Sequence, residues 1–131
     1  MNTPNIRCKI SGYCSILPSE DPKKVQMALE NILPDSEIQI ETNSAKISSK
    51  DLDSLKRIFE TIHSRKTQRT YLRHMKKNLT DTSTWFYLNK QAAYANNVAL
   101  CDEADESPLG PIKLILESNQ IEQIMDWLTI E

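Results

Sequence analysis

IRCKISGYCSIL, residues 6–17, decides the class of fold, because it alternates along its length. Ile6, Cys8, Ile10, Cys14 and Ile16 fall on one face, with Gly12 among them. Arg7, Lys9, Ser11, Tyr13 and Ser15 fall on the other. A period of two predicts a half-buried strand, with helices covering the apolar face. Gly12 predicts a bulge or a bend within it. Cys8 and Cys14 read as small hydrophobes of the core.

Working outward, Asp21-Pro22 is a helix start, a capping side chain followed by proline at the first helical position. Val25, Ala28, Leu29 and Ile32 make its apolar stripe, and Pro34 ends it. Glu37 to Glu41 alternates again with Ile38 and Ile40 inward, and Asn43-Ser44 turns into a short strand at 45–48. Ser83 to Leu88 predicts a strand with Phe86 and Leu88 on one face and Trp85 and Tyr87 on the other. Lys90 to Asn96 predicts one or two helical turns, Val98 to Cys101 a strand, and Asp102 to Ser107 an acidic loop. Pro108 to Pro111 predicts a turn, Ile112 to Leu116 a strand. Asn119 and Glu122 predict a capping box for a last helix bearing Ile121, Ile124, Met125 and Leu128. The order is β-α-β-β-α-α-β-(α)-β-β-α. This is an α+β protein: a largely antiparallel sheet of about five to six strands packed with helices, in a single domain spanning 1–131.

Residues 50–79 carry the strongest sign of function. Lys56, Arg57, Arg65, Lys66, Arg69, Arg73, Lys76 and Lys77 are eight of the sixteen Lys and Arg residues, with Glu60 the one acid among them. Outside residues 56–77 eight bases face seventeen acids, so a net charge of −2 conceals a polarised molecule. Leu52, Leu55, Ile58, Phe59 and Ile62 form one helical stripe. At about 100° per residue, that stripe points the same way as Arg65, Arg69, Arg73 and Lys76. Tyr71, Leu72, Met75 and Leu79 lie opposite. Two helices with a break near His63 to Thr67 resolve the conflict. The rival is one long helix whose C-terminal half leaves the core. The basic ridge would run roughly 16 Å along a helix axis, room for about three phosphates.

Two blocks, Leu88-Asn89-Lys90-Gln91-Ala92-Ala93 and Ser107-Pro108-Leu109-Gly110-Pro111-Ile112, are jointly specific, and Ser19-Glu20-Asp21-Pro22-Lys23-Lys24-Val25 opens the first helix. Over most of its length the chain resembles an archaeal family described as predicted exosome subunits or RNA-binding proteins. That family is similar in fold to a ribosomal protein of the 5S RNA region. The resemblance implies an α+β fold with an antiparallel sheet, RNA binding, and exosome or ribosome components as partners. It brings no catalytic residues. Where the family's basic helix has Asp-Thr-Ala-Arg, this chain has Ser64-Arg65-Lys66-Thr67-Gln68-Arg69, without that Asp and Ala.

The expected RNA-binding residues are Arg65, Lys66, Arg69, Arg73, Lys76 and Lys77, helped by Lys90 and the Arg7/Lys9 face. Arginine suits phosphate bidentately and stacks on bases. Shape or single-strand preference is expected over sequence reading. If Trp85 and Tyr87 shared a face with Arg7, Lys9 and Tyr13, an aromatic and basic platform for single-stranded RNA would result. The ordinary expectation for these aromatics is burial, under a helix or at a dimer contact. Asn89-Lys90-Gln91 either reaches a phosphate or base edge, or stabilises a tight strand-to-helix connection.

No catalytic constellation, cofactor or metal is expected. Two glycines exclude a phosphate-cradling glycine loop. His63 and His74 lack cysteines at zinc spacing, and Asp102, Glu103, Asp105 and Glu106 lack the order of a calcium loop. No apolar run approaches the ~20 residues of a membrane span, and no secretory signal is visible. Three unpaired-spacing cysteines suit a reducing cytoplasm. The alternative function is a protein-interaction or dimerisation module, a homodimer among its forms, without direct RNA binding.

Overall fold

Six antiparallel strands make one sheet in the order β2-β3-β1-β6-β4-β5. A computed structural model describes residues 2–103 and 108–131. Along the chain run β1 (Lys9–Ser15), α1 (Pro22–Ile32), β2 (Glu37–Ile40), β3 (Ser44–Ser49), a 3-10 turn (Leu52–Leu55) and α2 (Lys56–Ser64). Then come α3 (Gln68–Lys77), β4 (Ser83–Asn89), α4 (Lys90–Tyr94), β5 (Leu100–Cys101), β6 (Pro111–Glu117) and α5 (Ile121–Leu128). The expected α+β order holds.

Alternation in the three central strands separates the faces. Ile10 and Cys14 of β1, Thr84, Phe86 and Leu88 of β4, and Ile112, Leu114 and Leu116 of β6 are buried. The helices add Val25, Leu29, Ile32, Ile58, Ile62, Tyr71, Met75, Ile124 and Leu128 to the same core. Tyr71 meets Phe86 edge-on at 5.4 Å, an arrangement favoured by the ring quadrupoles. Burial pushes the Cys8 and Cys14 thiols up to about 11, which keeps them protonated and apolar.

Four local expectations need correction. Gly12 makes neither bulge nor bend, since β1 pairs in register on both sides of it. It is a point of close approach: a Cβ there would lie 2.6 Å from Ile47 Cγ2. Asn119 and Glu122 form no capping box; Ser118 Oγ accepts from the Gln120 amide at 3.1 Å and donates to the Arg7 carbonyl at 2.6 Å. The strand expected from Val98 shrinks to Leu100–Cys101, because its partner β4 ends at Asn89, which caps α4; the Asn89 amide's bond to the Ala99 carbonyl is the last link between them. Ile40, expected inward, is exposed at the end of edge strand β2. Of the acidic loop, Ala104 to Ser107 lie outside the described residues.

Gly12→Ala should lower stability by about 1–3 kcal/mol, the usual cost of overpacking. In an Ile47→Ala background, which removes the opposing methyl, the same change should cost clearly less. Urea denaturation of the four proteins in this cycle checks the coupling.

Candidate nucleic-acid interface

The helical segment breaks where the phase conflict requires. α2 ends at Ser64 and α3 begins at Gln68. The Thr67 amide bonds the Ile62 carbonyl at 2.9 Å and the Lys66 amide bonds the His63 carbonyl at 3.3 Å. This is the paired closure that usually carries glycine at the left-handed position. Here Lys66 holds it, with φ of 55°. A non-glycine residue in that conformation costs roughly 1–2 kcal/mol.

The break lets α3 bury Tyr71 and Met75 while its basic stripe faces out. Arg65, Lys66, Arg69, Arg73, Lys76 and Lys77 are all exposed. The ridge is shorter than a continuous helix would give, because Arg65 and Lys66 belong to the turn. From Arg69 to Lys77 it spans about 12 Å of axis. Arg69 Nε sits 3.3 Å from Glu131, with 91% of its side chain exposed; such surface pairs contribute little. Arg65 reaches the Val98 carbonyl at 3.5 Å. Lys66, Arg73, Lys76 and Lys77 have no acidic partner among the described residues. Arg57 is structural. Its guanidinium donates to the Asn96 side chain at 3.0 Å and carbonyl at 2.9 Å, fixing the turn after α4.

Lys90 is a correction. Expected at the RNA surface, it is fully buried. Its Nζ donates to the Ser15 carbonyl (2.7 Å), the Leu109 carbonyl (2.7 Å) and Glu20 Oε1 (3.0 Å). All three protons of the ammonium are thereby used, and the ends of β1, α4 and the turn before β6 are tied together. Glu20 also accepts from the Leu17 amide and the Tyr94 hydroxyl. Burial raises the Glu20 carboxyl, but these hydrogen bonds and Lys90 outweigh it and leave it below its ordinary value. Asn89 caps α4, its side chain accepting from the Ala92 amide at 2.9 Å. The polarity of Asn89 and Lys90 is therefore internal wiring.

Trp85 and Tyr87 do not lie under a helix. They share the bare face of the sheet with Lys9 and Tyr13, the coincidence that a platform needs. β6 joins them, pairing Lys113 with Tyr13 on one side and with Tyr87 on the other. Lys113 Nζ stands 4.5 Å over the Trp85 ring. Arg7 is exposed but precedes β1, outside this face. Lys46 and Lys113 were missing from the sequence-based set. The alternation of Pro111–Glu117 already puts Lys113 opposite Leu114, so the same parity rule could have found it.

His63 stacks on Phe59 at 4.0 Å and its Nε2 meets the Leu128 carbonyl at 3.0 Å. His74 Nε2 lies 2.6 Å from Asp102, which brings the start of the acidic loop beside α3. Among the described residues no cluster of His, Cys, Asp and Glu fits a metal ion. Nor is any helix among them long and apolar enough to cross a membrane.

An open-faced antiparallel sheet backed by helices, with a basic helix at one side, defines the class of protein. A family model described as RNA binding matches residues 9–118. The chain is 38% identical over 120 residues to a UPF0201 protein of Methanothermobacter thermautotrophicus, covering 92% of this chain and 89% of that one. It is 32% identical over 125 residues to a UPF0201 protein of Sulfurisphaera tokodaii, covering 92% and 86%. The crystal structure of a UPF0201 protein from Methanococcus jannaschii matches with a TM-score of 0.80 at 25% identity, covering 92% of this chain and 98% of that one. The chain belongs to this archaeal UPF0201 family, whose family model is described as RNA binding.

Lys90→Met should cost roughly 3–5 kcal/mol, as loss of one partner strands the other charge. Glu20→Gln should be destabilising at pH 7. Its folded pKa is lowered, so its contribution is present above the unfolded value and is lost as pH falls through the folded one. The Gln penalty should therefore shrink below about pH 4, as urea melts across pH will read.

Proposed function

We propose that the protein binds RNA by engaging phosphates with the exposed side of α3 and the turn before it. One observation carries this reading. Lys66, Arg73, Lys76 and Lys77 are exposed and have no acidic partner among the described residues. A helix face that serves only solubility usually interleaves acids at i+3 or i+4; α3 contains none. Lys76 and Lys77 also sit in its last turn, where the helix dipole favours cations. Uncompensated charge in a narrow stripe focuses the field that a polyanion meets. Lys66 supports the same reading, since a charged residue occupies a left-handed position that glycine would fill at lower cost. Phosphate contacts of this kind position RNA without reading its sequence. An accessory role in RNA processing or decay, or beside ribosomal RNA in the cytoplasm, belongs to the same proposal.

Fluorescence anisotropy with labelled RNA across a salt series tests it. Contacts to about four phosphates give a log–log slope near −3 for a single strand. Arg69→Glu with Arg73→Glu should abolish binding without unfolding the protein. Lys66→Gly should raise stability by about 1 kcal/mol yet flatten the slope by about 0.7. Absence of binding at low salt, or wild-type affinity in the double variant, would overturn the proposal.

A further inference from the structure

The bare face of the sheet holds one row of side chains that α3 does not explain. Reading across five strands from β4 to β2, the register aligns Tyr87, Lys113, Tyr13, Lys46 and Gln39. Aromatic and lysine alternate, and no acid interrupts the row. Neighbouring strands lie about 4.8 Å apart, so the two tyrosines stand about 10 Å from each other, and so do the two lysines. Tyr13 is 47% exposed. Trp85 flanks the row, its ring 4.9 Å from Tyr87. Among the described residues Lys46 is tied only to Glu41, at 3.9 Å on an exposed surface, a pair that a phosphate can displace. The nearby acids of this face, Glu37 and Glu117, lie in other rows, opposite Ser48 and Lys9 respectively.

We propose that this tyrosine–lysine row is a binding site for single-stranded RNA, with bases stacked on Tyr13 and Tyr87 and phosphates held by Lys113 and Lys46. Stacking on aromatic rings requires bases whose faces are free, which a duplex does not offer. The row extends the α3 site, and in that respect rests on the function proposed above. A cleft of about 210 Å³ joins them, lined by His74 and Lys77 from α3, by Trp85 and Tyr87 from β4, and by Asp102 and Glu103 after β5 on its other wall. A strand held along the ridge leaves it at Lys77 and passes onto the sheet there. A second copy of this chain fits the face less well, because lysines are depleted from the centres of protein interfaces and here Lys113 and Lys46 occupy it.

Trp85 supplies the reporter. The other tryptophan, Trp127, packs on Phe59 on another part of the molecule, so a Trp127→Phe background isolates Trp85 fluorescence. A short oligouridylate and a short blunt-ended RNA duplex are titrated in turn. The oligouridylate should quench Trp85 and the duplex should not. Tyr13→Thr and Tyr87→Thr should each weaken oligouridylate binding by about fivefold to a hundredfold, the range for one stacked base. Tyr13→Phe should bind like the parent, and duplex affinity and melting temperature should stay unchanged in all three. Unchanged oligouridylate affinity in both Thr variants, or an equal loss of duplex binding, would overturn the site while the α3 reading stands. If Arg69→Glu with Arg73→Glu alters neither RNA while the Thr variants lose the oligouridylate, the α3 reading falls and the row stands. No binding of either RNA overturns both. A Trp85 signal that changes with protein concentration alone, with a doubled mass in solution, would assign the face to a second copy and overturn the proposal.

Discussion

The pairing of β6 with β1 on one side and β4 on the other holds the rest of the molecule in place. These three strands join the β2-β3 half of the sheet to the β4-β5 half. Each alternates apolar and polar residues, so a slip of one position would carry Ile112, Leu114 and Leu116 into solvent. The cost of that exposure, about 1.5–3 kcal/mol per large side chain, pins the register. The same register aligns Tyr13, Lys113 and Tyr87 on the opposite face. Burial on one side thus dictates the surface chemistry of the other. Gly12 belongs to this constraint too, because the β1–β3 contact closes over it with Ile47.

What was legible in the sequence is what depends on neighbours in the chain. The alternation of residues 6–17 yielded the strand and its two faces. The phase conflict in residues 50–79 yielded the break between α2 and α3, since no straight helix can aim its core and its charges in one direction. Asp21 and Pro22 yielded the start of α1, and Asp21 does accept from the Lys23 amide at 2.9 Å. The illegible parts depend on residues far apart. Lys90 looks like a surface lysine between two amides, yet its partners Ser15, Glu20 and Leu109 come from other segments, Glu20 being 70 residues away. Arg57 counts among the eight bases of residues 56–77, yet Asn96 holds it, a partner 39 residues away. The shared face of Tyr13 and Tyr87 passes through β6, so neither strand alone reveals it.

The chain separates its charges in a way that bears on function. α3 carries cations without acids, while Asp102 and Glu103 follow β5 and meet the end of α3 near His74 and Lys77. The buried Glu20–Lys90 pair plays no part in this surface. It fixes the ends of β1 and β6, and with them the register on which the tyrosine–lysine row depends.

The most direct test of the account is an amide NMR titration of the isotope-labelled protein with a short single-stranded RNA. The account predicts shifts concentrated in Lys66 to Lys77 and in the residues of β1, β4 and β6 that line the bare face, with α1 silent. Shifts confined to α1 or to the edge strand β2, leaving α3 unmoved, would contradict it.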